Sequence, residues 1–228
     1  MGTEEVHDGV QLPNYKTLTP EQLPEAMAEA EGNLLIVDFD ETLWLRNSTE
    51  VFLARARPAP MAALILRILD IGRPWRIIGG RRRVQDYRDW IRVLAIVILM
   101  PWTLRRWSRI APDLGRTFAN TALEGAMVAS QPARVVIVSN GYKALIAPLL
   151  EHYPDPRPEL VAARLLTGWR WRRAGKLANS EAVFEAPDLD AATVVTDHDS
   201  DAPLLARVGN GLLCVWPDAR YEPAFKKR

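Results

Sequence analysis

Three polar clusters, each directly after a short apolar segment, are the parts of this sequence best suited to chemistry. DFDET (38–42) follows LLIV, SNG (139–141) follows VVIV, and DHDSD (197–201) follows TVVT. Packing does not explain acids repeated at the ends of apolar segments, because an unpaired buried charge is costly. We therefore interpret these clusters as parts of one functional site.

The first cluster contains two carboxylates that can divide the work of catalysis. Asp38 and Asp40 lie two residues apart, and in extended backbone such residues share a face. One carboxylate can attack an electrophile while the other donates a proton to the leaving group and later accepts one from water. This pairing predicts nucleophilic catalysis with acid–base assistance.

Two further features suit a phosphoryl group as the electrophile. Lys176 follows Gly175 in a predicted loop before a helix, from which its ammonium can offset charge on a transferring phosphoryl group. The alternative is that Lys176 is a solvated loop residue and that Arg172 or Arg173 serves instead. Ser139, with the free amides of Asn140 and Gly141, can hold phosphate oxygens at a helix start. Both features predict phosphoryl chemistry.

The same clusters predict a magnesium site. Carboxylates from several strand ends supply oxygen ligands, which Mg²⁺ prefers, whereas zinc sites use mainly His and Cys. The chain has three histidines and one cysteine, Cys214, so its composition disfavours zinc. A single cysteine also rules out an internal disulfide and suits a reducing compartment.

Apolar segments alternate with helical ones outside the middle of the chain. The predicted strands lie near 34–37, 135–138, 193–196 and 212–215, with a further strand or hairpin over 160–173 that turns at Gly168. A helix is expected after the second strand, ending near 150, and two further helices are expected over 178–186 and 201–208. This alternation predicts a parallel sheet flanked by helices, with its ligand site at the carboxyl ends of the strands.

Residues 44–130 contain no convincing strand and are predicted to form an inserted all-helical cap. The helices expected there lie near 48–57, 60–71, 84–100 and 113–129. The core is then formed by 1–43 and 131–228, of which 1–18 are expected to be a flexible lead.

The cap is strongly basic. Residues 55–116 hold 14 arginines and four acids, a net +10, although the whole chain carries only +1, which argues against nucleic acid as a partner. The stretch also holds four of the eight tryptophans and the uncharged segment 93–102, too short for the roughly 20 residues that span a bilayer. Two alternatives follow: a buried helix with arginines on its wet side, or a helix at the membrane surface with Trp102 and Trp107 at headgroup depth.

The order DFDET, VVIVSNG, GK and TDHDSDAPLL resembles the four motifs of the haloacid dehalogenase (HAD) superfamily of phosphohydrolases. The resemblance covers 33–43 and 133–216, and the insertion lies where this superfamily places a helical cap. It implies an α/β fold with a three-layer, Rossmann-like parallel sheet, and a Mg²⁺-dependent phosphatase reaction through an aspartyl phosphate.

The resemblance also implies a role for each matching residue. They are Asp38 as nucleophile and metal ligand, Asp40 as general acid–base and metal ligand through its main-chain carbonyl, Thr42 as loop support, Ser139 with Asn140 and Gly141 as phosphate ligands, Lys176 as counter-charge, Asp197 as metal ligand, and Asp201 as support for Lys176 or for the metal-bound waters. Three positions depart from the usual pattern of the superfamily. Glu41 and Thr196 stand where many members have glycine, and His198 stands where many have Ser or Gly. Asp199 is an extra acid without an assigned role.

Substrate and partners are expected from the same resemblance. The insertion resembles that of the phosphoserine phosphatase branch and, in its Trp- and Arg-rich character, HAD domains associated with membrane polyprenyl transferases. A small or lipid-linked phosphomonoester is therefore the expected substrate, with peripheral contact to an anionic membrane or a membrane prenyltransferase as a further expectation. The N-terminus lacks the features of a signal peptide, so a cytoplasmic location is expected. The alternatives are a non-catalytic regulatory module beside a membrane transferase, and a phosphotransferase or mutase.

Overall fold

A six-stranded, all-parallel sheet forms the centre of the molecule in the computed structural model, which describes residues 15–76, 84–155 and 157–224. The strands are β1 (Lys16–Leu18), β2 (Leu34–Val37), β3 (Arg134–Tyr142), β4 (Glu159–Ala163), β5 (Thr193–Thr196) and β6 (Asn210–Cys214). Their spatial order is β1-β6-β5-β2-β3-β4. The predicted α/β fold is confirmed, and its three central strands are the ones that end in the polar clusters.

Helices cover both faces of the sheet. They are α1 (Leu23–Met27), α2 (Ser48–Arg55), α3 (Ala59–Gly72), α4 (Val84–Leu99), α5 (Trp102–Thr117), α6 (Thr121–Ala129), α7 (Lys143–Leu149), α8 (Gly168–Glu181), α9 (Ala186–Ala191) and α10 (Ala202–Arg207). Side chains of β2 alternate between the faces, as strand geometry requires. Leu35 and Val37 enter a core shared with α2 to α7, whereas Leu34 and Ile36 enter a second core shared with α9 and α10.

Between β2 and β3, the described residues form helices α2 to α6, which pack closely on the sheet domain. The Trp107 indole donates to the main-chain oxygen of Leu145 at 2.9 Å, and its ring packs edge-on against Phe52. A Cβ at Gly115 would lie 2.1 Å from the main-chain oxygen of Leu149, so only glycine permits this approach of α5 to α7. The helical insertion is thereby held against the helix that follows β3.

Helix boundaries in the insertion differ from the expectation of one helix over 113–129. Helix α5 begins at Trp102 and runs through Pro112 to Thr117, because its packing outweighs the hydrogen bond that proline cannot make. A separate α6 starts after Asn120, whose side-chain oxygen accepts from the Leu123 amide at 3.2 Å.

Two other expectations require correction. Lys16–Leu18, within the stretch expected to be flexible, pair with Leu212–Cys214 as an edge strand, while 1–14 lie outside the described residues. Of the strand or hairpin expected over 160–173, the strand is present as β4 (Glu159–Ala163), but a hairpin turning at Gly168 is wrong, because the residues from Gly168 onward are helical. Alternating tryptophans at 169 and 171 suggested a strand, but tertiary packing of α8 overrides this local preference.

The apolar segment 93–102 is divided between core and surface. Val93, Ile96 and Met100 are buried, whereas Ile98, Leu99 and Trp102 are exposed. Trp107 is buried in the core, so its expected position at headgroup depth is wrong. Among the described residues, no helix is long and apolar enough to cross a membrane.

Candidate active site

The carboxyl ends of β5, β2 and β3 meet at one cleft of about 620 Å³. Its walls include all the sequence-predicted site residues except Thr42, which lies just beneath. The lining consists of Asp38, Asp40, Glu41, Asn47, Asp89, Ser139, Asn140, Gly141, Arg172, Lys176, Asp197, His198, Ser200, Asp201 and Tyr221. Neighbouring parallel strands thus bring together residues separated by more than 100 positions in the chain.

The loop after β2 positions both carboxylates of the first cluster. The Asp38 amide continues the sheet by donating to Val195 O at 2.9 Å, and its side chain accepts from the Phe39 amide at 2.7 Å. Asp40 accepts from the amide of Ser48 at 2.6 Å, the first residue of α2. The insertion therefore helps to orient the second carboxylate.

Glu41 has a backbone conformation that favours glycine. Its φ is 65°, in the left-handed region, where side chains other than glycine are disfavoured. Its amide donates to Trp44 O at 2.8 Å, which closes the loop into a tight turn.

Lys176 lies between two carboxylates in the wall of the cleft. Its ammonium is 2.7 Å from Asp38 Oδ1 and 2.6 Å from Asp201 Oδ2, and all three residues are buried. Gly175, at φ 84° and ψ 164°, interrupts α8 immediately before this lysine. The expected loop is thus one glycine break within a helical segment, and it directs Lys176 toward β2 and β5.

A hydroxyl completes this buried network. Thr196 Oγ1 donates to Asp201 Oδ2 at 2.7 Å, and Asp201 ends the 3₁₀ turn Asp199–Asp201. The threonine that replaces a usual glycine therefore orients the carboxylate that holds Lys176.

The charges of Asp38 and Lys176 depend on each other. Burial raises the pKa of Asp38 to about 7, opposed by the Lys176 ammonium and assisted by the nearby Asp201 and Asp197. Burial alone lowers the pKa of Lys176, but Asp38 and Asp201 outweigh it, so the pKa is raised and the ammonium remains charged.

Asp40 has the environment of a general acid. Burial raises its pKa, although the hydrogen bond from Ser48 and the charges of Arg172 and Lys176 oppose the shift. A carboxyl with a raised pKa retains a proton closer to neutral pH, as proton donation to a leaving group requires.

Asp197 lies opposite Asp38 and is anchored by Thr42. The Thr42 hydroxyl donates to Asp197 Oδ1 at 2.8 Å and accepts from the Asp197 amide at 3.1 Å. Asn120 donates in turn to Thr42 O at 2.8 Å. Burial raises the pKa of Asp197, which indicates a carboxylate that would gain from a bound cation.

The SNG cluster is arranged differently from the expectation of free amides at a helix start. It lies within the long strand β3, whose register with β4 shifts between Ser139 and Tyr142. The Gly141 amide is not free, because it donates to Ser139 Oγ at 2.9 Å. A Cβ at Gly141 would lie 3.0 Å from Asp40 Oδ2, so this glycine keeps the cleft open beside the second carboxylate.

Arg172, Asp89 and Tyr221 are cleft residues that the sequence motifs do not reveal. Arg172 Nε donates to Asn140 O at 2.9 Å, and its Nη1 contacts Asp89 Oδ2 at 3.1 Å. Asp89 comes from α4 of the insertion, and Tyr221 from the segment after β6. The one signal in the sequence for a cleft position of Arg172 is that it lies four residues before Lys176. This spacing places the two side chains near each other only if the segment is a helix.

The donor set fits Mg²⁺. Among the described residues, no three Asp, Glu, His or Cys side chains converge as a metal cluster. Mg²⁺ does not need such a cluster, because it usually keeps several waters and binds through one or two carboxylates and substrate phosphate. Asp197 lies close enough to Asp38 for its charge to raise the pKa of Asp38, and both side chains offer oxygen ligands.

One comparison with known proteins yields a match. Residues 35–206 match the family described as haloacid dehalogenase-like hydrolase. No curated protein and no solved structure matches the chain.

Proposed function

This chain belongs to the haloacid dehalogenase-like hydrolases, and from the geometry of its cleft we propose that it is a phosphatase that transfers the phosphoryl group of a phosphomonoester to Asp38. Members of this family generally use Mg²⁺. The observation that carries the proposal is the buried ammonium of Lys176, 2.7 Å from a carboxylate that lines an open cleft.

In the first half-reaction, a carboxylate oxygen of Asp38 attacks phosphorus and the bond from phosphorus to the ester oxygen breaks. The leaving alcohol takes its proton from Asp40, whose raised pKa supports this role. Lys176 offsets negative charge beside the reacting atoms, and Ser139 binds a phosphoryl oxygen. The product of this step is an acyl phosphate on Asp38.

In the second half-reaction, Asp40 accepts a proton from water, and the water oxygen attacks phosphorus. The bond between phosphorus and Asp38 breaks, which releases inorganic phosphate and restores the carboxylate. Asp40 thus returns to its protonated state, and each proton is accounted for over the cycle.

Asp38, Asp197 and the main-chain carbonyl of Asp40 are the groups we assign to hold Mg²⁺. When bound, the ion neutralises phosphoryl charge that the acidic cleft would otherwise repel. Thr42 keeps Asp197 in place for this purpose through its two hydrogen bonds.

Arg172 is the group we assign to a second anionic or polar part of the substrate. It lines the cleft beside Asn140 and is oriented by Asp89. Arginine in such a position suits bidentate contact with phosphate or carboxylate oxygens. A small phosphomonoester or the phosphate headgroup of a lipid both satisfy this chemistry.

Hydrolysis of p-nitrophenyl phosphate with Mg²⁺ and with EDTA tests the proposal. Wild type should release phosphate only with Mg²⁺, and Asp38→Asn, assayed well below its own melting temperature, should lower kcat by orders of magnitude. Asp218→Asn, the same change at an exposed aspartate, is the matched control. After a rapid acid quench, the peptide that contains Asp38 should carry a phosphoryl group that hydroxylamine removes.

Three outcomes would contradict the proposal in different ways. Full activity of Asp38→Asn would exclude the nucleophile. Phosphorylation of Asp38 that persists in water but is released by an added alcohol or sugar would identify a phosphotransferase. No turnover of any phosphomonoester in a panel of sugar and prenyl phosphates would favour a non-catalytic module.

A further inference from the structure

An exposed apolar corner adjoins the basic face of the insertion. Ile98 and Leu99 end α4, and Trp102 begins α5 one residue after Pro101. All three side chains are exposed, although large apolar residues usually face the core. We call this set, with Arg105 and Arg106 one turn further along α5, the α4–α5 corner.

A second apolar stripe lies on the neighbouring helix α3. Leu64, Ile68 and Ile71 recur at helical spacing on one face, and they expose 59–73% of their surface. Such a stripe normally faces a core, but Ala62 and Leu66 already supply the buried face of α3.

Helices α3 and α4 run antiparallel side by side. Asp70, near the end of α3, lies 3.6 Å from Arg88 near the start of α4. At the other end, the Trp102 indole donates to the main-chain oxygen of Arg57 at 2.6 Å. Because the buried residues of both helices enter the same core, their exposed residues point away from that core.

Unpaired positive charge accompanies these apolar residues. Arg67 on α3 and Arg105, Arg106 and Arg109 on α5 are exposed, and none has an ion-pair partner within the described parts of the chain. The buried face of α5 consists instead of residues such as Trp107 and Ala111. Helix α5 therefore presents a basic outer face.

We propose that the α4–α5 corner and the α3 stripe dock on an anionic lipid bilayer. Apolar side chains enter the region between headgroups and acyl chains, while arginines contact lipid phosphates. Net charge of +10 over 55–116 matches a negative surface, and nucleic acid would not use the exposed Ile and Leu side chains. Leu99 lies ten residues beyond the cleft residue Asp89 on α4, about 15 Å along the helix, which separates the α4–α5 corner from the cleft.

Co-sedimentation with vesicles tests docking apart from catalysis. The full chain is mixed with vesicles of phosphatidylcholine alone or with increasing phosphatidylglycerol, at low and at high salt. Bound protein should rise with phosphatidylglycerol and fall with salt, because screening weakens attraction between surface charges.

Two double variants separate charge from insertion. Arg105→Glu with Arg106→Glu should lower the partition coefficient by at least about 25-fold, since each arginine contributes roughly fivefold near an anionic surface. Ile98→Ser with Leu99→Ser should weaken binding without a change in charge. Arg157→Glu with Arg164→Glu, exposed residues outside the insertion, is the control of equal charge change and should bind nearly as wild type.

Turnover of a soluble phosphate ester should be the same in all these variants, so failure of docking and failure of the phosphatase proposal are distinguishable. No binding to phosphatidylglycerol vesicles at low salt would overturn docking, and a membrane protein would then be the partner to seek. Equal loss in the control variant, or full binding after Ile98→Ser with Leu99→Ser, would also overturn it.

Discussion

Replacing Lys176 by methionine should destabilise the protein strongly, because the buried ammonium holds two carboxylates together. Its contacts with Asp38 and Asp201 are 2.7 and 2.6 Å, and the three residues are almost fully buried. Methionine has a similar length but leaves both carboxylates without their cation. Removing one partner of a buried ion pair costs about 3–5 kcal/mol.

A change of this size is readily measured. For a chain of 228 residues, each kcal/mol corresponds to about 2–4 °C in melting temperature, so Lys176→Met should melt about 10 °C lower. Urea denaturation in EDTA should give the free-energy difference directly. Lys143→Met, the same change at an exposed lysine, should alter stability by no more than about 0.5 kcal/mol.

A double-mutant cycle isolates the interaction with Asp201. Asp201→Asn alone should cost about 1.5–3 kcal/mol, the usual value of a hydrogen bond to a charged group. Combined with Lys176→Met it should cost less than the sum, because the double variant no longer buries that unpaired carboxylate. Additive costs within about 0.3 kcal/mol would show that the two side chains do not interact as the structure indicates.

The deficit should grow as pH rises. The pKa of Asp38 is about 7 even with Lys176 present, and loss of the ammonium raises it further. Between the unfolded value of about 3.9 and this folded value, the native state binds more protons than the unfolded state. Stability therefore decreases with rising pH up to the folded pKa. In Lys176→Met this decrease continues above pH 7, where Asp38 of the wild type is already ionised, so the variant should be closer to wild type at pH 5 than at pH 8. A deficit below about 1 kcal/mol at pH 8 would refute the assignment of Lys176 as buried counter-ion.

Three other changes test separate parts of the structure. Asp197→Asn should raise the Mg²⁺ concentration for half-maximal turnover, and an unchanged titration would move the ligand role to Asp199 or Asp201. Gly115→Ala should lower the free energy of unfolding by about 1–3 kcal/mol, because its Cβ meets the main-chain oxygen of Leu149, whereas Gly125→Ala has open space and should stabilise by up to about 1 kcal/mol. Arg172→Gln should raise KM more than it lowers kcat for substrates with a second anionic group, and an equal effect on an aryl phosphate that has no second anionic group would contradict that role.

The sequence alone determined the central strands of the sheet and the location of the cleft. Runs such as LLIV and TVVT are too apolar for any position except a buried strand, and alternation with helices requires parallel strands. Polar clusters that follow parallel strands gather at one edge of the sheet. The sequence therefore assigns Asp38, Asp40 and Asp197 to one cleft. Helices were predicted over 44–130 for a different reason, because the apolar residues there lack strand periodicity.

Local pattern was insufficient where several conformations were compatible with the same residues. Trp169 and Trp171 alternate as in a strand but lie in α8, and this helix brings Arg172 into the cleft. Trp107 and Trp102 occur in the same basic stretch, yet one is buried and the other exposed. Their difference depends on which face of α5 packs against α7, a contact between distant parts of the chain.

Tertiary structure also decided how the site residues bind one another. Lys176 reaches Asp38 and Asp201 because the Gly175 break points it toward the sheet, and the Gly141 amide is bonded to Ser139 because β3 continues past the expected helix start. These contacts join residues on different elements, so they depend on the order of strands and the packing of helices. Sequence spacing carries no information about such distances, whereas the parallel sheet sets them by placing neighbouring strand ends about 5 Å apart.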